Sequence, residues 1–328
     1  MREGAPIDDI APLLEVTGLR TYFRTPDGVA KAVDGVDLTL KPGQMRSIIG
    51  ESGCGKSVIA LSIMRLIGAP GWIAGGSIRL QGRDLLHLPE EEMRQIRAGA
   101  MAMIFQDSPA SRIPADIAGH TVITGASRRR MVSQRAALER EREVCRLVGL
   151  PPLEQLISMP AARVSADMRR RLLIARALAQ QPTLLIADEP TAGLDETSRT
   201  HILTLIKSLQ ATAHSAVLLI THDLGMVAAM ADEITVLYAG QVVEQGTVGA
   251  VLTQPKHPYT VGLLHSTPIP GQRDPRLQVL PGGGLDAVRP PAGCPFAPRC
   301  PHVMVLCREQ APLLREVAEG SRARCWLY

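Results

Sequence analysis

Aromatic residues are scarce in this chain of 328 residues, which has two Trp, four Tyr and three Phe. Surfaces that hold single-stranded nucleic acid stack bases on aromatic rings, so the shortage argues against that role. Charge of one sign is equally thin. Lys and Arg number 36 against 32 Asp and Glu, and the resulting net charge of +4 is too mild to suggest a DNA-binding surface. No apolar run approaches the roughly 20 residues that span a bilayer. The longest near the middle, Ala216 to Ile220, reads as a buried strand. The opening residues, Met1-Arg2-Glu3-Gly4-Ala5-Pro6, carry no apolar core of a secretion signal. The expectation is a soluble, cytoplasmic chain without internal repeats, built as one large α/β domain plus a smaller appendage. Cysteine is sparse until the end. Of six cysteines, four fall in the last 35 residues. In a reducing compartment such clustering points to a metal site rather than to disulfides.

What is present is a phosphate-binding loop. Gly50-Glu51-Ser52-Gly53-Cys54-Gly55-Lys56-Ser57 is a complete G-x-x-x-x-G-K-S pattern. It follows an apolar strand, Ser47-Ile48-Ile49, and precedes a helix opening at Val58. This strand–loop–helix context gives the motif its meaning. Gly50, Gly53 and Gly55 let backbone N–H groups, that of Ser52 among them, curl around phosphate oxygens. Lys56 supplies a point charge to the β- and γ-phosphates of a nucleoside triphosphate, and Ser57 a hydroxyl to Mg²⁺. Further on, the apolar run Leu184 to Ala187 ends in Asp188-Glu189. The first carboxylate suits a Mg²⁺ contact, and the second a general base that polarises water. His222, in Thr221-His222-Asp223, closes the next apolar strand.

Gln106 (in Ile104-Phe105-Gln106-Asp107), Asp188-Glu189-Pro190-Thr191, Gly193-Leu194-Asp195 and His222 follow the phosphate loop in order. Together they resemble the Q-loop, Walker B, D-loop and switch histidine of ABC-type ATPases, over residues 13 to about 250. The tail narrows the resemblance. His257-Pro258-Tyr259-Thr260 and Gly293-Cys294-Pro295-Phe296-Ala297-Pro298-Arg299-Cys300-Pro301 are similar to the C-terminal extension of the oligopeptide/dipeptide/nickel importer branch. The resemblance implies an ATP-binding subunit at the cytoplasmic face of the membrane. Its fold would be α/β: a P-loop, RecA-like core with an antiparallel β-subdomain and a helical subdomain, plus a small Cys-rich extension. The ATP-binding domain would cover 13–254, with the helical subdomain about 107–180, and the extension 255–328. Two such subunits pair head to tail around two ATP molecules. The implied partners are a second ATPase subunit, two transmembrane permease subunits and, indirectly, an extracytoplasmic substrate-binding protein, with no nucleic acid. Gln106 joins Ser57 and Asp188 at Mg²⁺, and Gln106 and His222 assist Glu189. Phe23 becomes the aromatic that stacks on adenine, with Tyr22 as its alternative.

One motif departs from the family. The signature loop, normally Leu-Ser-Gly-Gly, reads Val164-Ser165-Ala166-Asp167-Met168. Ser165 remains, and both glycines are gone. Ala166 adds a Cβ where close backbone approach is wanted. Asp167 adds negative charge. Two unit charges ~4 Å apart repel by about 4 kcal/mol at an effective dielectric of ~20, more than the ~0.3–1 kcal/mol of a helix-dipole contribution. The pattern predicts an asymmetric heterodimer. The site built on this chain's phosphate loop works with a partner's intact signature, and the opposite site is impaired. The competing readings are a catalytically silent regulatory subunit, sequence drift, and a soluble ABC ATPase outside transport. Peptides are the family's default cargo.

Cys294, Cys300, Cys307 and Cys325 are separated by five, six and seventeen residues. Structural zinc prefers a pair two to four residues apart, and these spacings offer none. Four thiolates on Pro-rich loops suit an iron–sulfur cluster, and the resemblance implies [4Fe–4S]. Zinc and ordinary thiols stay open as alternatives. A cluster would staple an extension expected to have few core residues of its own. Cys54, inside the phosphate loop, reads as a loop residue open to alkylation.

Overall fold

A two-residue turn at Pro26-Asp27 joins two long strands, β1 (Leu14–Thr25) and β2 (Gly28–Leu40). The apolar pattern marks strand only near Leu13–Val16 and Val36–Leu40. The ladder nonetheless runs on from Arg20↔Asp34 to Thr25↔Gly28. Side chains of that outer half are mostly exposed or half-buried, so backbone pairing extends where no hydrophobic alternation announces it. After β3 (Met45–Ile49) and α1 (Lys56–Ile63) come β4 (Gly71–Leu80) and β5 (Arg83–Asp84). The β4–β5 turn, Gln81-Gly82, has both residues at positive φ, the geometry a tight hairpin favours. These strands form an antiparallel sheet in the order β2-β1-β4-β5.

Next come α2 (Glu90–Gly99), β6 (Met101–Ile104), α3 (Gln134–Leu147), α4 (Leu153–Ser158), α5 (Ala166–Ala179), β7 (Leu184–Asp188), α6 (Glu196–Ala213) and β8 (Ala216–Ile220). β6 and β7 are parallel, from Met101↔Leu184 to Ile104↔Ala187. Every residue of β7 and β8 is buried, as continuous apolar runs of a covered parallel sheet require. The chain ends with α7 (Leu224–Met230), β9 (Glu233–Tyr238), β10 (Gln241–Thr247), α8 (Val248–Thr253), α9 (Pro258–His265), α10 (Val305–Glu309), β11 (Arg315–Ala318) and β12 (Ser321–Ala323).

The computed structural model describes residues 11–106, 134–160, 163–266, 282 and 287–328. Most of the expected helical subdomain before residue 134 lies outside the described residues, as do Ala161 and Ala162. The chain divides into two compact units. The first contains Lys41–Gln44 and His87–Leu218; the second contains Leu14–Leu40, Met45–Leu86 and Leu219–Tyr328. Among the described residues no helix is long and apolar enough to cross a membrane.

The C-terminal extension differs from the expectation of a poor core. Its β12 pairs antiparallel with β10, which pairs with β9, and β9 runs parallel to β3. Its Tyr259, Cys294, Phe296, Ala297 and Cys307 join one buried cluster with Ile49, Val227, Ile234, Val236, Tyr238, Val243 and Val251. Three of the chain's few aromatic rings meet there. Tyr238 lies 4.7 Å from Tyr259 and 5.3 Å from Phe296, centroid to centroid, and Tyr259 lies 5.5 Å from Phe296. Pairs at these separations each add about 0.5–1.5 kcal/mol beyond their area burial.

Candidate active site

In the second unit, β3 delivers the chain into the phosphate loop. Gly50 has φ 152°, and a Cβ there would stand 2.2 Å from the Leu237 carbonyl oxygen. Gly55 has φ 107°, and a Cβ there would stand 2.3 Å from the Ala32 carbonyl oxygen. Both positions therefore exclude any side chain. Lys56 and Ser57 open α1, whose first N–H groups have no partner within the helix and are free to face an anion. The Lys56 ammonium donates to the Gly50 and Glu51 carbonyls at 2.8 and 2.9 Å. Ser52 and Gly53 are exposed, and Ser57 is half-buried. Cys54 departs from the expected reactivity: its thiol is buried, and burial pushes its pKa up, away from the nucleophilic thiolate.

Glu51 is the residue of the loop that the motif leaves unexplained. Its N–H donates to the Tyr259 hydroxyl at 2.8 Å. Its carboxylate receives both terminal nitrogens of Arg299, at 2.7 and 2.8 Å. Sequence reasoning missed Tyr259 and Arg299. The only signal was a carboxylate inside a loop that binds anions, which calls for a cation beside it. His222 lies exposed just past β8, also in this unit. The Thr221 hydroxyl accepts the Asp223 N–H at 3.1 Å, and Asp223 caps α7 by accepting the Met226 N–H at 3.0 Å. Those two turns hold the His222 backbone at the strand end. Tyr22 is committed elsewhere: its hydroxyl donates to Asp34 at 2.7 Å and its ring meets Trp72 edge-on. Phe23 is half-buried, its ring against Gly71.

In the first unit, the register pair Ile104↔Ala187 puts Asp188 at the carboxyl end of β7, and Gln106 and Glu189 just past the ends of the neighbouring parallel strands β6 and β7. That end is where open α/β sheets bind ligands. Gln106 is exposed; Asp188 and Glu189 are buried at 3 % and 7 % exposure. Glu189 has φ 46°, a left-handed conformation that is rare and strained outside glycine, and its carbonyl accepts from Arg170 at 2.8 Å.

The same unit holds the altered signature. The Ser165 hydroxyl caps α5 by accepting the Met168 N–H at 3.1 Å. Asp167 carries no isolated charge, which modifies the sequence argument: the Arg171 guanidinium lies 2.8 Å from its carboxylate. Arg171 also donates to the Ser198 hydroxyl at 2.5 Å and lies 3.7 Å from Asp195. Asp195 caps α6 through the Ser198 N–H at 2.9 Å. Hydrogen bonds from Ser198, with a smaller contribution from Arg171, hold the Asp195 carboxyl below its usual range.

Cys294, Cys307 and Cys325 are buried and Cys300 is half-buried, all as free thiols. Burial pushes the Cys294 thiol up to about 11, with Cys307, Cys325 and Cys300 adding to the rise. All four are thiols, soft ligands whose chemistry suits iron and sulfide. Among the described residues no three His, Cys, Asp or Glu side chains converge on a point that would hold one metal ion. The described residues therefore assemble neither a zinc site nor the expected [4Fe–4S] site at Cys294, Cys300, Cys307 and Cys325.

A strand–loop–helix phosphate cradle and a buried strand ending in two carboxylates define a P-loop NTPase. Residues 33–192 match the family described as ABC transporter, and residues 243–307 match the oligopeptide/dipeptide transporter C-terminal region. The chain belongs to the ABC transporter family, as an ATP-binding subunit of its oligopeptide/dipeptide branch. It is 43% identical to a probable peptide ABC transporter ATP-binding protein of Sinorhizobium fredii, covering 96% of this chain and 94% of that protein. It is 41% identical to the oligopeptide transport ATP-binding protein OppD of Bacillus subtilis, covering 97% and 89%. Among solved structures, the dimeric ATP-binding cassette MJ0796 bound to ADP and Pi superposes with a TM-score of 0.62 at 25% identity, covering 72% of this chain and 98% of that one. The chain is thus an ATP hydrolase coupled to transmembrane transport.

Proposed function

We propose that this chain powers an oligopeptide importer from the cytoplasmic face of the membrane. It docks on two transmembrane permease subunits that receive peptide from an extracytoplasmic binding protein. The carrying observation is the complete phosphate-handling set on a chain whose C-terminal region is of the oligopeptide/dipeptide type. The backbone N–H groups of Gly50, Ser52, Gly53 and Gly55 and the Lys56 ammonium cradle the phosphates, and Phe23 stacks on adenine. Ser57, Gln106 and Asp188 hold Mg²⁺ directly or through water. Glu189 takes the proton of the attacking water, with Gln106 and His222 reading the γ-phosphate. The sequence modules fall at 13–254 and 255–328.

The partner in the ATPase dimer is a second subunit with an intact signature. Support comes from Ala166-Asp167 in place of two glycines. Arg171 offsets the Asp167 charge, so the impairment rests chiefly on blocked backbone approach. The four C-terminal cysteines would hold a [4Fe–4S] cluster as a structural staple; their all-thiol chemistry and the oligopeptide/dipeptide type of the region support this, while the described side chains do not converge on a metal site. Iron and acid-labile sulfide in the anaerobically purified complex test it, and their absence sinks it.

The central test is steady-state ATPase of the assembled complex with Glu189→Gln. A fall of at least about a hundredfold, in the range lost with a general base, is expected. Undiminished turnover would make this chain a silent nucleotide-binding half.

A further inference from the structure

We infer that Arg299 and Tyr259, from the C-terminal extension, are positioning residues for the phosphate loop, acting through Glu51 to set nucleotide affinity. The nucleotide loop thus has a third support besides its strand and helix. Glu51 is engaged at every polar group. Its N–H is turned to the buried Tyr259 hydroxyl at 2.8 Å, its carbonyl accepts from Lys56 at 2.9 Å, and its carboxylate is bidentate on Arg299. A paired Arg–carboxylate fork fixes orientation as well as charge. The Arg299 side chain is only 8 % exposed. Its guanidinium lies 5.8 Å from the Tyr238 ring centroid and 5.9 Å from that of Phe296. Tyr259 is fully buried in the aromatic cluster. Both supports therefore stand on rigid ground.

The physical reason for such supports is electrostatic. A carboxylate in the loop that receives ATP faces several negative phosphate charges, and each unpaired charge at close range weakens binding. Arg299 cancels the Glu51 charge and pins it away from the cradle. Tyr259 takes the Glu51 N–H and so fixes the Gly50–Glu51 peptide plane, whose Gly50 carbonyl accepts from Lys56 at 2.8 Å. Neither residue touches nucleotide; both act on the loop that does. The inference rests on nucleotide binding at this loop.

The test uses the full-length chain titrated with methylanthraniloyl-ATP, alongside KM and kcat for ATP in the assembled complex. Arg299→Ala should weaken binding about tenfold and raise KM far more than it lowers kcat. Arg299→Lys, which keeps the charge and loses the fork, should fall between it and wild type. The discriminating variant is Glu51→Gln combined with Arg299→Ala. Removing the stranded carboxylate should restore most of the lost affinity, whereas a merely structural role would leave the double variant as weak or weaker. Tyr259→Phe should raise KM severalfold. Should Arg299→Ala not fold, Arg299→Lys with and without Glu51→Gln carries the same comparison. Unchanged affinity in the Arg299 variants, or no recovery in the double variant, overturns the inference. Failure of the wild-type chain to bind the probe would instead count against the nucleotide site itself.

Discussion

His257 lies in the interior, its ring 5.7 Å from that of Phe296 and its Nδ1 accepting the Tyr259 N–H at 3.1 Å. Burial, with Arg324 adding to it, lowers its pKa to about 3. The folded state therefore binds the His257 proton less readily than the unfolded chain. Its contribution is full above about pH 6.5 and is lost as pH falls through the window toward 3. Within that window the slope approaches about 1.4 kcal/mol per pH unit. Glu244 accepts the Lys256 and His257 N–H groups at 2.7 and 2.8 Å, and burial raises its pKa, so it titrates with the opposite sign. The difference between wild type and His257→Asn isolates the histidine. Urea midpoints measured from pH 7.5 to 5 should fall more steeply for wild type, and parallel curves would refute the assignment. Such effects are invisible in a sequence, where His257 reads only as the residue before a helical proline.

At the scale of elements, the start of α5 is the informative place. Ser165 caps it, Asp167 pairs with Arg171 one turn on, and Arg171 reaches the Ser198 hydroxyl at the start of α6. Two helix ends are thereby tied within one unit. Replacing Asp167 by Gly restores one of the two signature glycines. It removes an i,i+4 ion pair and adds a flexible residue, at a stability cost of roughly 1 kcal/mol. ATPase of the assembled complex should rise with this variant as the second site recovers, while the melting temperature falls by a few degrees. Unaltered turnover would leave the departure from Leu-Ser-Gly-Gly without catalytic meaning. The sequence itself marks α5, because Leu172, Leu173, Ala177 and Leu178 recur at helical spacing on one apolar face. Its tie to α6 is not legible there, because Arg171 on a helix reads as a solvated charge.

For the whole molecule, the C-terminal region is a module in sequence yet shares its interior with β9 and β10. A chain ended at residue 254 loses Tyr259 and Phe296, both buried to at least 99 %. Burying two such side chains is worth about 3–6 kcal/mol, against a total stability of about 5–15 kcal/mol for a typical domain. The shortened chain should be recovered mostly as aggregate, or melt well below the full chain. Equal solubility and melting point would make the extension a dispensable appendage.

The order of short motifs was enough to establish the chemistry of this protein. Phosphate cradling needs glycines, a lysine and a hydroxyl within eight neighbouring residues, and paired carboxylates need only the end of one apolar strand. Local spacing carries that information because the backbone itself performs the binding. The long outer half of the β1–β2 hairpin, the pairing of Asp167 and the support of Glu51 were decided by tertiary structure alone. Glu51 meets Tyr259 and Arg299 across 208 and 248 residues of chain. No periodicity or spacing records contacts at such separations, which exist only because the sheet and its buried aromatic cluster bring those segments together.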